Sequence, residues 1–299
     1  MTRKSWKLEL PLHFMVLPGL IFIIIFAYGP MAGLVIAFQD FNIGKGMFGS
    51  DYIGFDNFRY VYSLPDTMIV FRNTLYIAFM KIIAGLITPI VTALLLNEIR
   101  KQVFKRTVQT LIYLPNFLSW VILSGILIEV LSPTTGIVNA VMAKFGLEKI
   151  FFLGSADWFP YVMVGTDVWK DFGFNTIVYL AALTSINPTL YEAAVIDGAN
   201  RWKQTIHVTL PGMLPIIVLL TTLSLGQVLN AGFDQIFNLY SPSVYETGDI
   251  IDTYVYRIGL GNGQFGVATA VGLFKSVISL FAISISYVLA YRLANYRIF

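Results

Sequence analysis

The chain has 299 residues, of which 57% are hydrophobic, 15% aromatic and only 12% charged, and its mean hydropathy is +0.72. A soluble globular chain is about a quarter charged, so this composition excludes a soluble fold and predicts a single membrane domain over residues 1–299. The net charge is only +3, and the lack of cysteine excludes disulfides, thiolate metal sites and thiol catalysis.

Six apolar stretches are long enough to cross a bilayer, which takes about 20 mostly apolar residues. They are predicted at roughly 14–38, 71–96, 108–131, 158–183, 214–233 and 267–291. The first follows a basic N-terminus, but it is too long for a signal peptide and lacks a small-residue cleavage site. Pro18 and Gly29-Pro30 predict a kink in the first stretch, and Pro89 predicts a break in the second. The fourth is the least apolar.

The positions of lysine and arginine predict that both termini are cytoplasmic, because cytoplasmic segments of membrane proteins are enriched in these bases. This orientation places eleven bases inside, namely Arg3, Lys4, Lys7, Arg100, Lys101, Lys105, Arg106, Arg201, Lys203, Arg292 and Arg297. It leaves five in the outside loops, namely Lys45, Arg59, Lys144, Lys149 and Arg257. The sequence therefore predicts an all-α polytopic fold with six transmembrane helices.

The outside loops, at about 39–70, 132–157 and 234–266, are rich in Gly, Asn, Tyr and Phe. They could dock a partner on the outer face or could only cap the helix bundle, and the composition favours neither. No internal repeat of fixed period and no low-complexity linker is found.

One polar loop, residues 184–212, interrupts the apolar chain and contains the sequence YEAAVIDGANRWKQTIHVTLP at 191–211. Asn187-Pro188 predicts a helix start, because Asn caps free backbone donors and Pro suits the first helical turn. Asp197-Gly198 predicts a turn, since glycine tolerates positive φ. A second short helix is predicted over 201–208, with Pro211 ending it. The loop is predicted to be cytoplasmic and to fold as helix, glycine turn and helix.

The composition of this loop favours a protein contact over a membrane-surface helix. Ala193 and Ala194 leave one side of the first helix thin, so that another surface can approach closely. Trp202 is a large ring of the kind that anchors interfaces. The alternative is an amphipathic helix lying on the bilayer, but such helices are usually rich in Lys and Arg. This loop has only Arg201 and Lys203, and it also carries acids.

The loop resembles the EAA motif of ABC importer permeases. That motif is Glu-Ala-Ala, three residues, Gly, nine residues, an aliphatic residue, one residue and Leu-Pro, present here as Glu192-Ala193-Ala194, Gly198, Val208 and Leu210-Pro211. Val208 stands where the family usually has Ile. Asp197 and Ala199, which flank the glycine, resemble the carbohydrate-uptake branch. Four further stretches are similar to the same family: YLPNFLSWVIL, GIVNAVM, VWKDFGFNTIVYLAALTSINPTLYEAA and the N-terminal LPGLIFIIIFAYGPMAGLVIAFQDFN.

The resemblance implies the permease subunit of a type I importer in a bacterial inner membrane, and not an enzyme. The chain would pair with a second, similar permease, and two cytoplasmic ATPase subunits would each hold one EAA loop in a groove. An external binding protein would deliver an oligosaccharide from a complex, often acidic, polysaccharide. The implied ATPase-coupling residues are Glu192, Ala193, Ala194, Asp197, Gly198, Ala199, Trp202, Leu210 and Pro211.

No cofactor is expected on the chain itself. It contains no G-x-x-x-x-G-K-[ST] phosphate-binding run, so ATP and Mg are expected at the partner ATPase subunits.

Polar residues within the spans are predicted to line a substrate path, because such residues are costly in lipid and usually face a cavity. One cluster, near the start of the fourth span, is Asp167, Trp169, Lys170, Asp171 and Asn175. A second, at the outer end of the fifth, is Gln227, Asn230, Phe233, Asp234 and Gln235. Further candidates are Arg72, Asn73, Lys81 and Lys275.

Aromatic faces combined with planar hydrogen-bonding groups suit sugars. Two alternatives stay open. The charges of the first cluster, at i, i+3 and i+4, could equally serve helix packing, and Lys275 could extend to the membrane interface.

Other functions are less well supported by the sequence. The only histidines, His13 and His207, have no matching ligand set, so no metal site is predicted. No nucleophile elbow or intramembrane aspartate pair indicates an enzyme, and no basic stripe indicates nucleic-acid binding. A self-sufficient secondary transporter or channel is the main alternative, although the inverted repeats frequent in that class are not found.

Overall fold

The computed structural model describes residues 3–294, with side chains for residues 10–288, Tyr291 and Arg292. This part of the chain is mainly helical, as predicted, and it contains one antiparallel hairpin in which Gln39 pairs with Tyr52 and Asp40 with Asp51. The two termini, which are predicted to be cytoplasmic, lie largely outside the described residues. Arg297 is not among them, and only the backbone is described for Arg3, Lys4 and Lys7.

Packing divides the chain into two compact units, residues 1–64 with 255–274, and residues 65–254 with 275–299. The prediction of one membrane domain over 1–299 stays a prediction. In chain order, the helices are α1 (Arg3–Ile23), α2 (Gly46–Gly49), α3 (Asp56–Ser63), α4 (Pro65–Glu98), α5 (Gln102–Tyr113), α6 (Trp120–Val130), α7 (Ile137–Lys144), α8 (Phe159–Thr184), α9 (Pro188–Ile196), α10 (Arg201–Gln204), α11 (Leu210–Gly226), α12 (Phe233–Leu239), α13 (Tyr245–Gly248), α14 (Ile251–Tyr256) and α15 (Phe265–Ala294). The strands are β1 (Gln39–Asp40) and β2 (Asp51–Tyr52), and short 3₁₀ or π segments cover Ile24–Tyr28, Gly29–Phe38, Leu114–Phe117, Pro242–Val244, Thr205–Thr209 and Arg257–Gly261.

In the first unit, the helical winding changes where a kink is predicted. α1 passes into a π turn at Ile24–Tyr28 and then into a 3₁₀ helix at Gly29–Phe38. The buried Asn57 fastens α3 to the end of that helix, because its Nδ2 donates to the carbonyl oxygens of Ala37 at 2.9 Å and Gln39 at 3.0 Å.

The second unit is built around the contact between α4 and α8, onto which α11 packs. Its apolar core at one end includes Ile77, Leu123, Phe159, Met163 and Ile236. A second core includes Ala93, Tyr179, Leu183 and Met213. α4 and α8 are therefore held together at two levels, and α11 joins them in the second core.

Two predicted features of the long helices are wrong. α4 runs unbroken through Pro89, which is buried inside it. Pro211 does not end a helix, because the chain stays helical from α10 through the π turn at Thr205–Thr209 into α11, where Pro211 occupies the first turn. The N–H that Pro211 lacks falls at the change from the π turn to α11, and one missing hydrogen bond there does not end the helix. The fifth predicted span, 214–233, accordingly begins earlier and ends at Gly226.

The third predicted span, 108–131, is also not one straight helix. α5 with its 3₁₀ extension and α6 meet at an angle of 104°. Pro115 lies in the 3₁₀ turn, and Ser119 then caps α6 by accepting from the N–H of Ile122 at 3.4 Å. Because the whole stretch is apolar, its composition does not reveal that one helix ends and another begins within it.

Four helical stretches of the described residues are long and apolar enough to cross a membrane: Leu10–Phe38, Pro65–Glu98, Arg201–Gly226 and Phe265–Val288. The bent pair of α5 and α6 would be a fifth. α8 has sufficient length, 26 residues, but its charged residues lower its apolar character. The polytopic helical class is confirmed, whereas the count of six spans and the orientation stay predictions.

Gly173 sets how closely α5 and α8 approach. A Cβ added to it would lie 2.0 Å from the carbonyl oxygen of Ile112, so Gly173→Ala is expected to push the helices apart and to cost roughly 1–3 kcal/mol of stability. Gly165 of the same helix has nothing within 4 Å of such a Cβ. Thermal unfolding in detergent should show a lowered midpoint for Gly173→Ala and not for Gly165→Ala. Equal midpoints would refute the close approach.

Candidate functional site

An open polar cavity of 490 Å³ lies between α4, α8, α11 and the segment that follows α11. It joins residues from all three predicted clusters, and its polar lining includes Lys81, Asp167, Asp171, Asn175, Gln227 and Asn230. Ser224 adds a hydroxyl, and apolar residues such as Leu220 and Phe172 fill the wall between these groups. The cavity can therefore form many hydrogen bonds to a ligand while also offering apolar contact.

Lys81 is the centre of the polar wall. It lies halfway along α4 and is buried. Its Nζ donates to Asp167 Oδ1 at 2.9 Å, to the carbonyl oxygen of Ala231 at 2.8 Å and to Gln235 Oε1. All three ammonium protons are thus bound, which offsets the cost of placing a charge at this depth.

Gln235 connects this wall to the segment after α11. The side chain is fully buried, and its Nε2 donates to the carbonyl oxygen of Met163 at 2.8 Å and to Thr166 Oγ1 at 2.7 Å. Since its Oε1 accepts from Lys81, one amide ties α12 to both α4 and α8. Gln235 therefore has a structural role behind the cavity.

Two residues of the first predicted cluster do not line the cavity. Trp169 is exposed on another face of α8. Lys170 is buried, with its Nζ 5.7 Å from the centre of the Trp120 ring and donating to the carbonyl oxygen of Asn116 at 3.1 Å. Asn116 Nδ2 also donates to Asp171 Oδ1 at 2.9 Å. This part of the cluster fastens the bend between α5 and α6 to α8.

Several other predicted path residues also lie away from this cavity. The ring of Phe233 stacks on Phe237 at 5.1 Å, and Asp234 is exposed. Lys275 forms an ion pair with Asp252. Arg72 and Asn73 border a different cavity of 290 Å³, together with Tyr76, Asp157, Pro160, Tyr161 and Thr247.

The polar loop has the predicted helix, glycine turn and helix. Asn187 Oδ1 accepts from the N–H of Thr189 at 3.0 Å and caps α9. Gly198 has φ of +75°, and the hydrogen bonds Gly198 N–H to Val195 O at 3.0 Å and Ala199 N–H to Ala194 O at 2.8 Å close α9. This pair of bonds is a Schellman motif, which requires a left-handed residue and favours glycine there. Ala194, Gly198 and Ala199 thus build the turn.

The outward face of the loop is uncovered. Glu192, Ala193, Asp197 and Gly198 are exposed, as are the large apolar side chains Val195 (61%), Ile196 (85%) and Trp202 (71%). Leu210 and Pro211 lie instead in the first turn of α11. A patch of exposed apolar groups with acidic neighbours is typical of a surface that binds another protein.

The inner face of the loop is fastened to the helices that line the cavity. Tyr191 Oη and Thr209 Oγ1 share a hydrogen bond of 3.0 Å, and Gln204 Nε2 donates to the carbonyl oxygen of Ala199 at 2.9 Å. Arg201 lies 3.7 Å from Glu98, the last residue of α4, in an exposed ion pair that adds little stability. Tyr191 and Val208 also pack against the apolar core that contains Ala93 of α4. Because α8 leads into the loop and α11 leaves it, the loop is connected to all three cavity helices.

The sequence analysis did not predict these side-chain contacts. Asn200 could have been recognised as the cap of α10, since its Oδ1 accepts from the N–H of Lys203 at 2.9 Å and Asn is a preferred cap. The contacts of Tyr191 with Thr209 and of Arg201 with Glu98 leave no local signal, because each depends on how separate segments pack.

The family of the chain follows from comparison with known proteins. Residues 64–295 match the model of the family described as binding-protein-dependent transport system inner membrane component. The chain is a member of that family. It is 42% identical to the Bacillus subtilis polygalacturonan/rhamnogalacturonan transport system permease protein YteP, over 95% of this chain and 87% of YteP. It is 26% identical to the Bacillus subtilis arabinooligosaccharides transport system permease protein AraP, over 87% and 81% of the two chains.

The fold of this permease is found in a solved transporter. The permease superposes with a TM-score of 0.90 and 39% identity on a chain of a bacterial ABC transporter involved in the import of the acidic polysaccharide alginate, covering 97% of this chain and 98% of that chain. A second match, with a TM-score of 0.89, is the alginate transporter in complex with an alginate pentasaccharide-bound periplasmic protein. The resemblance to ABC importer permeases is confirmed.

Proposed function

We propose that this permease forms half of the path of an ATP-driven, binding-protein-dependent importer of oligosaccharides in a bacterial inner membrane. The observation that carries the proposal is the match over nearly the whole chain to permeases named for oligosaccharide and polysaccharide transport. A second, similar permease completes the path, and an external binding protein delivers the sugar. Both termini and the polar loop face the cytoplasm.

The cavity among α4, α8 and α11 is the part of the path that this chain supplies. Its amide, hydroxyl and carboxylate groups, including Asn175, Ser224, Gln227 and Asn230, suit the many hydroxyl groups of a sugar. Its lysine, Lys81, is neutralised by Asp167. This wall therefore offers amide and hydroxyl groups, which both donate and accept hydrogen bonds, and among its described residues no cation that is free of an ion pair.

The polar loop couples the cavity to ATP hydrolysis. Two ATPase subunits bind ATP and Mg, and this chain binds no cofactor. One ATPase holds the exposed face formed by Glu192, Ala193, Asp197, Gly198 and Trp202, while Ala194 and Ala199 maintain the turn beneath it. Leu210 and Pro211 start the helix that transmits the movement. Because the loop is fastened to all three cavity helices, moving it as a rigid body shifts the walls of the cavity together.

Reconstitution tests this function directly. The permease, purified in mild detergent from cells that express its partners, is expected to retain an ATPase and a second permease. In proteoliposomes that contain the complex and the loaded binding protein, oligosaccharide uptake is expected only with ATP. Uptake against a gradient by this chain alone, without any ATPase, would overturn the proposal and identify a secondary transporter.

A further inference from the structure

A cluster of bases marks one edge of the membrane domain beside the polar loop. Arg100, Lys101, Lys105 and Arg106 lie within seven consecutive residues, between the end of α4 and the first turns of α5. Within the described residues, no carboxylate lies within 4.0 Å of the side-chain nitrogens of these four bases. The nearby Glu98 is directed to Arg201. Within the part of the chain that the structure describes, no ion pair balances the positive charge of this cluster.

A crevice of 330 Å³ begins at this cluster and runs between α5 and α8. Lys105, Gln109 and Tyr113 line it at successive turns of α5, while Ile177, Leu180, Ala181 and Thr184 line it on α8. Lys105, Asn97 and Thr184 make one end polar, and Tyr113 and Ile177 make the other end largely apolar. At roughly 1.5 Å per residue, the stretch from Lys105 to Tyr113 is about 12 Å long.

The opposite face of α5 is apolar and uncovered. Val103, Phe104 and Leu111 are 81%, 57% and 64% exposed. Phe104 and Leu111 lie on the side of α5 away from Lys105 and Arg106, whereas Val103 lies next to Arg106. A helix with bases on one face and exposed apolar groups on the other is typical of the membrane interface. The sharp bend after α5 also shows that this helix does not simply continue as a straight span.

We propose that the base cluster and the crevice together bind an anionic phospholipid. The headgroup phosphate lies on Lys105 and Arg106, with Arg100 and Lys101 adding attraction, and part of one acyl chain lies along Tyr113, Ile177 and Leu180. The preference of cytoplasmic segments for bases explains why Lys and Arg occur at this edge. It does not explain a crevice that changes from polar to apolar along its length, which fits an amphiphile. Clustered bases next to a spanning helix attract anionic lipids.

Lipid binding to the purified transporter tests the proposal. The complex is depleted of lipid and titrated with dioleoylphosphatidylglycerol or dioleoylphosphatidylcholine, and the bound lipid is counted by native mass spectrometry. The wild type is expected to bind the anionic lipid at least about tenfold more tightly. Lys105→Gln/Arg106→Gln is expected to lose that preference. Ala181→Phe, which fills the crevice without changing charge, is expected to lose binding.

The matched control is Lys144→Gln/Lys149→Gln, which removes the same charge elsewhere and is expected to bind like the wild type. Equal affinity for the two lipids, or an equal loss in the control, would overturn the proposal. Displacement of the lipid by inorganic phosphate would show a simple anion site, and loss of the ATPase from Lys105→Gln/Arg106→Gln in lipid-free detergent would show a protein-binding surface. Gel filtration identifies misfolded variants, and Ala181→Phe tests the crevice independently of the bases.

Discussion

Gly198→Asp is expected to abolish ATP-driven uptake while leaving the permease folded. The residue has φ of +75°, and an added Cβ would have nothing within 4 Å. Aspartate is one of the few residues that tolerate this region, at a cost of about 1 kcal/mol. Its carboxylate would, however, lie within the surface proposed to contact the ATPase. Burying an unpaired charge in an interface costs several kcal/mol, so uptake in proteoliposomes should fall by roughly a hundredfold.

The chain offers a matched control for this change. Gly146 has φ of +72° and the same open surroundings, but it lies in the connection that follows α7. Gly146→Asp therefore introduces the same strain and charge away from the loop, and it should retain the ATPase on affinity purification. Gly198→Asp should release the ATPase. If both variants retain it and transport equally, the assignment of the coupling loop is wrong.

Lys81→Met is expected to destabilise the permease by about 3–5 kcal/mol, because it leaves Asp167 charged and without its partner inside the membrane domain. The side chains of Lys81 and Asp167 are only 9% and 26% exposed. Gln235 Oε1 and the carbonyl oxygen of Ala231 lose the same donor. The measurement is the midpoint of thermal unfolding in detergent, followed by intrinsic fluorescence.

Two further variants distinguish a buried pair from a general effect of losing a lysine. Lys45→Met breaks an ion pair with Asp51 in which the side chains are 54% and 77% exposed, and exposed pairs contribute little, so its midpoint should be unchanged. Lys81→Met/Asp167→Leu removes both charges and should recover much of the loss. A midpoint for Lys81→Met equal to that of the wild type would show that the pair does not stabilise the fold.

The structure of the polar loop follows closely from its local sequence. Asn187-Pro188, Asp197-Gly198 and the residues between them act through capping and turn geometry, which depend on neighbours a few positions away. The bend at Pro115 also had a local signal, but the apolar average of the stretch concealed it. The prediction from Pro89 was wrong because α4 packs against α8 at this level, and tertiary packing can keep a helix continuous across one missing hydrogen bond.

Composition and local pattern alone determined that this is a helical membrane protein and where the polar loop with the EAA motif lies. Only the tertiary structure decided which polar side chains share the cavity. Asp171 and Asn175 face it, whereas Trp169 and Lys170 do not, because each residue along a helix turns by about 100° and packing sets the rotation of the helix. Lys81 and Gln235 meet across 154 positions of sequence, and no local pattern encodes a contact that exists only once α4, α8 and α12 have packed.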